Sequence, residues 1–201
     1  MKLQAVTLLS AATIAGATPL DVRQAANPSA TVDTGPLTGT TTTFASSTAT
    51  VNKFLGIPFG SIPERFEPAT AAPTWAGTFD ATSYKTFCVQ EFASNPNDPG
   101  QRDRTITVFN EPPNGPQGTE GEDCLNLNVF APATASSTNP KAVMFWIYGG
   151  ALAFGASSLR MYDGSHFAAD QDIIIVTINY RTNIFGFPGY PGQPTGEQNL
   201  G

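Results

Sequence analysis

The ten residues Ala142-Val143-Met144-Phe145-Trp146-Ile147-Tyr148-Gly149-Gly150-Ala151 limit this chain's fold more than any other stretch. An unbroken apolar and aromatic run ends abruptly in two glycines and an alanine. The run is short and rich in β-formers, which predicts a strand buried on both faces. The small residues that follow let the backbone come close to another group and leave its amide N–H donors free. Acyl-transfer enzymes stabilise an oxyanion with donors placed in this way. A core strand followed by a plain glycine turn explains the same residues, so the rest of the chain has to decide.

Ile173-Ile174-Ile175-Val176-Thr177-Ile178, within 172–180, is a second continuous apolar run. Such runs belong to sheets covered by helices on both faces, which predicts an α/β protein. Leu125, Leu127 and Val129 alternate with Asn126 and Asn128, so 124–130 reads as a strand with one polar face. Residues 38–45 and 50–55 are rich in Thr and Val and read as a β-hairpin. Pro58, Pro63, Pro68 and Pro73 exclude a regular helix or a central strand from Ser61 to Trp75. Residues 163–170 predict a short helix with Phe167, Ala168 and Ala169 facing inward. No strong helical pattern follows either buried strand, and 186–201 is broken by glycine and proline. The covering helices are therefore expected beyond Gly201, in a longer protein.

Lys2, the mildly apolar 3–15 and Ala15-Gly16-Ala17 fit a cleavable secretory signal, so 1–17 is predicted to be removed. That run is too short and too polar to span a bilayer. Residues 18–30 are small and polar and read as a flexible mature N-terminus or propeptide. The remaining residues, 31–201, form one domain. A net charge of −6, with only 10 Lys and Arg in 201 residues, argues against nucleic acid as a partner. In an oxidising compartment Cys88 and Cys124 are expected to be bridged, two free buried thiols being the other possibility. A bridge would close a loop of about 37 residues, worth roughly 3–4 kcal/mol in the chain-entropy model. That loop holds the turn clusters 95–100 and 111–116 and reads as an irregular excursion or lid.

Five segments line up, in order, with one family. Phe54-Leu55-Gly56-Ile57-Pro58-Phe59, Glu122-Asp123-Cys124-Leu125-Asn126-Leu127-Asn128-Val129 and Trp146-Ile147-Tyr148-Gly149-Gly150-Ala151 are the first three. Asn179-Tyr180-Arg181 with Phe185-Gly186-Phe187, and Gln198-Asn199-Leu200-Gly201, complete the set. From about Thr31 onward the chain resembles the N-terminal part of a type-B carboxylesterase, the α/β-hydrolase group that includes lipases and cholinesterases. The resemblance implies an α/β-hydrolase fold with a central, mostly parallel sheet and an N-terminal antiparallel hairpin, incomplete at the C-terminus. It implies that Cys88 and Cys124 form the family's first disulfide, with the lid between them in lipase members. Gly150 and Ala151 would be the two oxyanion donors, with Gly149 as the turn that aims them. Many relatives carry three glycines here. Alanine at 151 keeps the N–H and adds a methyl, so the donor is kept if φ is negative there. Glu122 and Asp123 resemble acids that pair with arginines, with Arg65 and Arg181 as matching candidates.

The chain contains no G-x-S-x-G nucleophile elbow. Ser165-His166 is an adjacent pair whose side chains diverge, and His166, the single histidine, reads as a surface or helix-capping residue. One histidine and two cysteines leave no metal site, and no cofactor is expected. The expectation is thus the N-terminal portion of a secreted serine ester hydrolase that acts on an apolar carboxylic ester. Its Ser, acid and His would lie downstream, and this portion would be inactive alone. The alternative is a non-catalytic cholinesterase-like binding or adhesion protein. Sequence beyond Gly201, with or without a serine elbow, discriminates the two.

Overall fold

A computed structural model describes residues 27–45, 47–189, 191, 192, 194, 196 and 198–201. The predicted signal segment 1–17 and most of 18–30 lie outside the described residues. The chain begins with β1 (Ser29–Val32), β2 (Gly35–Thr38), β3 (Thr40–Phe44) and the long β4 (Ser47–Pro58). Four two-residue strands follow: β5 (Gly60–Ser61), β6 (Thr70–Ala71), β7 (Phe79–Asp80) and β8 (Phe87–Cys88). Next come α1 (Gln101–Phe109), β9 (Glu120–Gly121), β10 (Asn126–Pro132) and β11 (Val143–Ile147). A 3-10 turn (Arg160–Tyr162), α2 (Ser165–Gln171), β12 (Ile174–Ile178) and the single-turn α3 (Asn183–Gly186) complete the order.

The main sheet has the order β11-β12-β10-β4-β3. β3 and β4 form the predicted hairpin. Within this sheet, among the described residues, β11 and β12 are the one parallel pair, Val143 opposite Ile174 through Ile147 opposite Ile178. β12–β10, β10–β4 and β4–β3 are antiparallel. The expected mostly parallel sheet is therefore corrected for this part of the chain. A parallel pair needs a long crossover, and among the described residues only the 148–173 connection, which contains α2, supplies one to this sheet. β11 accordingly sits at the sheet edge rather than at its centre. Val143 is 61% exposed and Ile147 59%.

β10 carries the core. Its burial alternates strictly, with Asn126, Asn128 and Phe130 on the more buried side. Phe130 packs with Val51, Leu55, Ala168 and Ile175 beneath α2. Leu127 and Val129 face the other way, onto Leu37, Phe54, Ile57 and Ala81. The predicted polar face is thus a buried face, and both sides of β10 are covered. Lys53 on β4 reaches across to Asp163, 2.7 Å away, just before α2.

Two local expectations change. In α2 the residues Ser165 and Ala168 face the sheet, whereas Phe167 is more than half exposed. Positions three apart share a helix face, and Phe167 lies about 100° round from Ala168. The 89–123 loop also contains the nine-residue α1, none of whose side chains is buried. Its sequence lies between the two turn clusters and has no Gly or Pro, but it has no apolar stripe to signal a helix. Finally, β1 starts at Ser29, inside the segment read as a flexible terminus. Among the described residues no helix is long and apolar enough to cross a membrane.

Candidate functional site: the glycine turn after β11

The turn begins at Tyr148, which is buried at the exit of β11. Its ring stacks on Tyr180, at the exit of β12, with centroids 4.5 Å apart. The two residues exchange hydrogen bonds: Tyr180 Oη donates to Tyr148 O (2.9 Å) and Tyr148 Oη to Tyr180 O (3.2 Å). Burial pushes the Tyr148 phenol well above its ordinary pKa, so it stays a neutral donor. This reciprocal lock fixes where the chain leaves the sheet.

Beyond Tyr148 the backbone turns sharply. Gly150 has φ 152°, and a Cβ there would lie 1.9 Å from Phe154 O. The requirement for glycine therefore falls at Gly150. Gly149 has no positive φ, and a Cβ on it would meet nothing within 4 Å. Ala151 (φ 55°) and Leu152 (φ 61°) are both left-handed. The condition set for keeping the Ala151 donor, a negative φ, is therefore not met, although its N–H is still left without an acceptor among the described residues. A left-handed non-glycine residue costs roughly 1–2 kcal/mol, and two in succession persist only when their surroundings hold them. Gly150 O accepts from Ala153 N (3.0 Å) and Phe154 N (3.2 Å), which closes the turn. Asn183 N donates to Leu152 O at 2.6 Å and Glu91 N to Ala153 O at 2.9 Å.

Among the described residues, the N–H groups of Gly150 and Ala151 donate to no acceptor. Both residues line an open cavity of about 600 Å³, bounded also by Tyr148, Leu152, Tyr180 and Phe187. The turn can thus offer two adjacent amide donors to a ligand oxygen, and it carries no titratable group of its own.

A buried polar network lies just after the turn, at Ser157; its asparagines fall within two of the family-like segments, but nothing in those segments showed that they bond to one another. Asn128 Nδ2 donates to Ser157 Oγ and Thr177 Oγ1, each at 3.0 Å, and its Oδ1 accepts from Gly56 N at 2.9 Å. Asn179 Oδ1 accepts from Ser157 N (2.9 Å), while its Nδ2 donates to Asn126 Oδ1 (3.2 Å) and Thr86 O (3.3 Å). Each of the three asparagines is at most 6% exposed. Besides those segments, the available signal was the presence of amides in otherwise apolar strands, where a buried polar group must find partners.

Cys88 and Cys124 form a disulfide with Cα atoms 4.9 Å apart. Arg65 and Glu122 are brought together, Nε lying 3.0 Å from both carboxylate oxygens, with the guanidinium also over the Phe185 ring. Arg181 and Asp123 are not joined. Arg181 is nearly fully buried and spends its donors on backbone: Nε on Leu200 O (2.6 Å) and Nη1 on Glu67 O (2.8 Å). Asp123 joins no ion pair among the described residues. The expectation that all four pair therefore narrows to Arg65 with Glu122. His166 stacks on Phe44 with centroids 3.9 Å apart, and the Ser165 hydroxyl is buried without a partner; neither lines the cavity. Among the described residues no group of three or more His, Cys, Asp or Glu could hold a metal.

A strand exit with bare amides beside a parallel β-α-β unit is an arrangement that can present two donors to a ligand oxygen. A profile of the carboxylesterase family matches residues 26–201, and the chain belongs to that family. It is 38% identical over 168 residues to the cocaine esterase of Oryctolagus cuniculus, covering 82% of this chain and 30% of that protein. It is 39% identical over 162 residues to the acetylcholinesterase of Bungarus fasciatus, covering 75% of this chain and 24% of that protein. With the para-nitrobenzyl esterase of Bacillus subtilis it shares 39% identity over 140 residues, covering 68% of this chain and 25% of that protein. The chain thus spans less than a third of the length of these relatives. The family implies an α/β-hydrolase fold.

Proposed function

We propose that this chain is the N-terminal portion of a secreted serine carboxylic-ester hydrolase and that Gly150 and Ala151 supply two of its oxyanion donors. The observation that carries this reading is the pair of unpartnered N–H groups on the wall of an open cavity, at the exit of a strand. In the intact enzyme, a serine from a later segment attacks the ester carbonyl after a histidine takes its proton. The carbonyl oxygen, now negative, moves between the two amides. Preorganised donors of this kind act in the transition state and need no reorganisation. The mostly apolar cavity wall favours an apolar ester over a charged one. The glycine constraint at Gly150, the lock between Tyr148 and Tyr180 and the asparagine network all serve to hold the donors still.

Secretion belongs to the same reading. Residues 1–17 act as the signal and 18–30 as the mature N-terminus or a propeptide, and the Cys88–Cys124 bridge suits an oxidising compartment. The test is hydrolysis of p-nitrophenyl butyrate by the full-length secreted protein, with and without a serine-directed organophosphate. Turnover abolished by the inhibitor is expected, with no turnover from the 201-residue chain. A full-length protein without turnover supports a binding protein on the same fold. Inhibitor-sensitive turnover by the 201-residue chain contradicts the division of the site between two parts of the protein.

A further inference from the structure

The strained turn is held from two sides. One side is the β12 exit, through Asn179 and Asn183. The other is the start of the disulfide loop, and there a side chain makes the contact: Gln90 Oε1 accepts the N–H of Gly155 at 2.7 Å. Gly155 cannot move to another partner without cost. It has φ 124°, and a Cβ on it would lie 2.3 Å from the Tyr148 ring. Gln90 is itself oriented, because its Nε2 donates to Asn110 Oδ1 at 3.1 Å, which leaves Oε1 facing Gly155. Asn110 caps the C-terminus of α1. Phe92, ahead of α1, and Phe109, the last residue of α1, pack on the ring of Phe154 with centroids 5.0 and 5.3 Å away. Cys88, two residues before Gln90, is anchored by its disulfide.

We infer that Gln90 is a positioning residue for the oxyanion turn, and that through it the 89–123 loop sets the geometry of the Gly150 and Ala151 donors. This rests on the esterase reading above. Gln90 lines no part of the 600 Å³ cavity, so it acts through the backbone of Gly155 and not on substrate. Without its acceptor, the Gly155 N–H loses its partner and the two left-handed residues lose a restraint at the C-terminal end of their turn.

The test uses two variants of the full-length protein. Gln90→Met keeps the length and removes the acceptor. Gln90→Glu keeps an oxygen for Gly155, and Asn110 can turn its amide to donate to it. Misplacing catalytic groups by about 1 Å costs on the order of a hundredfold. For Gln90→Met, kcat per titrated active site is therefore expected to fall about ten- to a hundredfold, with KM within about twofold. Gln90→Glu should recover most of that loss. Hydrogen exchange at the Gly155 amide should accelerate in Gln90→Met and not in Gln90→Glu. Wild-type kcat in Gln90→Met, equal losses in both variants, or unchanged exchange at Gly155 overturns the inference. If the wild-type protein shows no turnover, the esterase reading fails, and Gly155 exchange still decides whether Gln90 holds the turn.

Discussion

β11 and β12 are adjacent, parallel and both strongly apolar, yet they meet different surroundings. β12 lies between β11 and β10, and Ile175 is 2% exposed beneath α2. Among the described residues β11 has a neighbour on one side only, and its face formed by Val143, Phe145 and Ile147 is bare, with Phe145 54% exposed. Its other face is partly covered, Trp146 lying against Tyr162 with centroids 5.6 Å apart. A run such as Val-Met-Phe-Trp-Ile states that it will be covered but not by what. On the proposed reading the missing cover is a later part of the same protein, and the bare strand is also the one that delivers the oxyanion turn. Exposed apolar edges of this kind invite association.

The largest expected difference between the two regions is in the core. Phe130→Ala, in the covered half, should destabilise the full-length protein by about 3–5 kcal/mol in urea unfolding, because the Phe130 site is closed on all sides. Asn128→Leu should cost about 2–4 kcal/mol by the same measurement, since it strips partners from Gly56 N, Ser157 Oγ and Thr177 Oγ1 at once. A cost below about 1 kcal/mol would mean that water satisfies those groups and that the network does not restrain the turn. A smaller effect concerns Asp163. Burial opposes its ionisation, but hydrogen bonds from Lys53 and Ser165, with the Lys53 charge, outweigh it and leave its pKa below the ordinary carboxylate value. The stability it contributes, at most about 1 kcal/mol, is therefore present above the unfolded value near 3.9 and lost as pH falls through the lower folded value. Asp163→Asn should flatten the acid limb of the stability curve. The smallest effect belongs to the bare strand: in the 201-residue chain Phe145→Ser should change unfolding by less than about 0.5 kcal/mol. In the full-length protein the same change should cost several times more, and equal costs in both would break the contrast between β11 and β12.

Much of the main sheet was legible because its five strands announced themselves by period or by composition, whereas the short β1, β2 and β5 to β9 did not. The Thr-rich hairpin, the alternation in β10 and the two apolar runs all lie where they were expected. Strand order was not legible, since an apolar run buried on both faces and an edge strand awaiting a neighbour look alike in sequence. Nor was the polarity of β10: asparagines alternating with leucine and valine suggest a solvent face until Ser157, Thr177 and Gly56 are seen to fill their hydrogen bonds. The ion pairs were half legible, because Arg65 meets Glu122 while Arg181 binds backbone carbonyls that no residue code identifies. Gly150 was legible as part of the turn. The left-handed conformation of Ala151 was not, because alanine gives no sign that its surroundings have paid the cost of a positive φ.

The central claim is that the Ala151 amide stabilises an oxyanion. The most direct measurement replaces that amide by an ester in the full-length protein, with lactic acid at position 151, which removes one N–H and leaves the shape of the turn in place. The expected result is a fall in kcat of about 10²–10³ for p-nitrophenyl butyrate with KM nearly unchanged. An unchanged kcat would contradict the assignment of Ala151 as a donor.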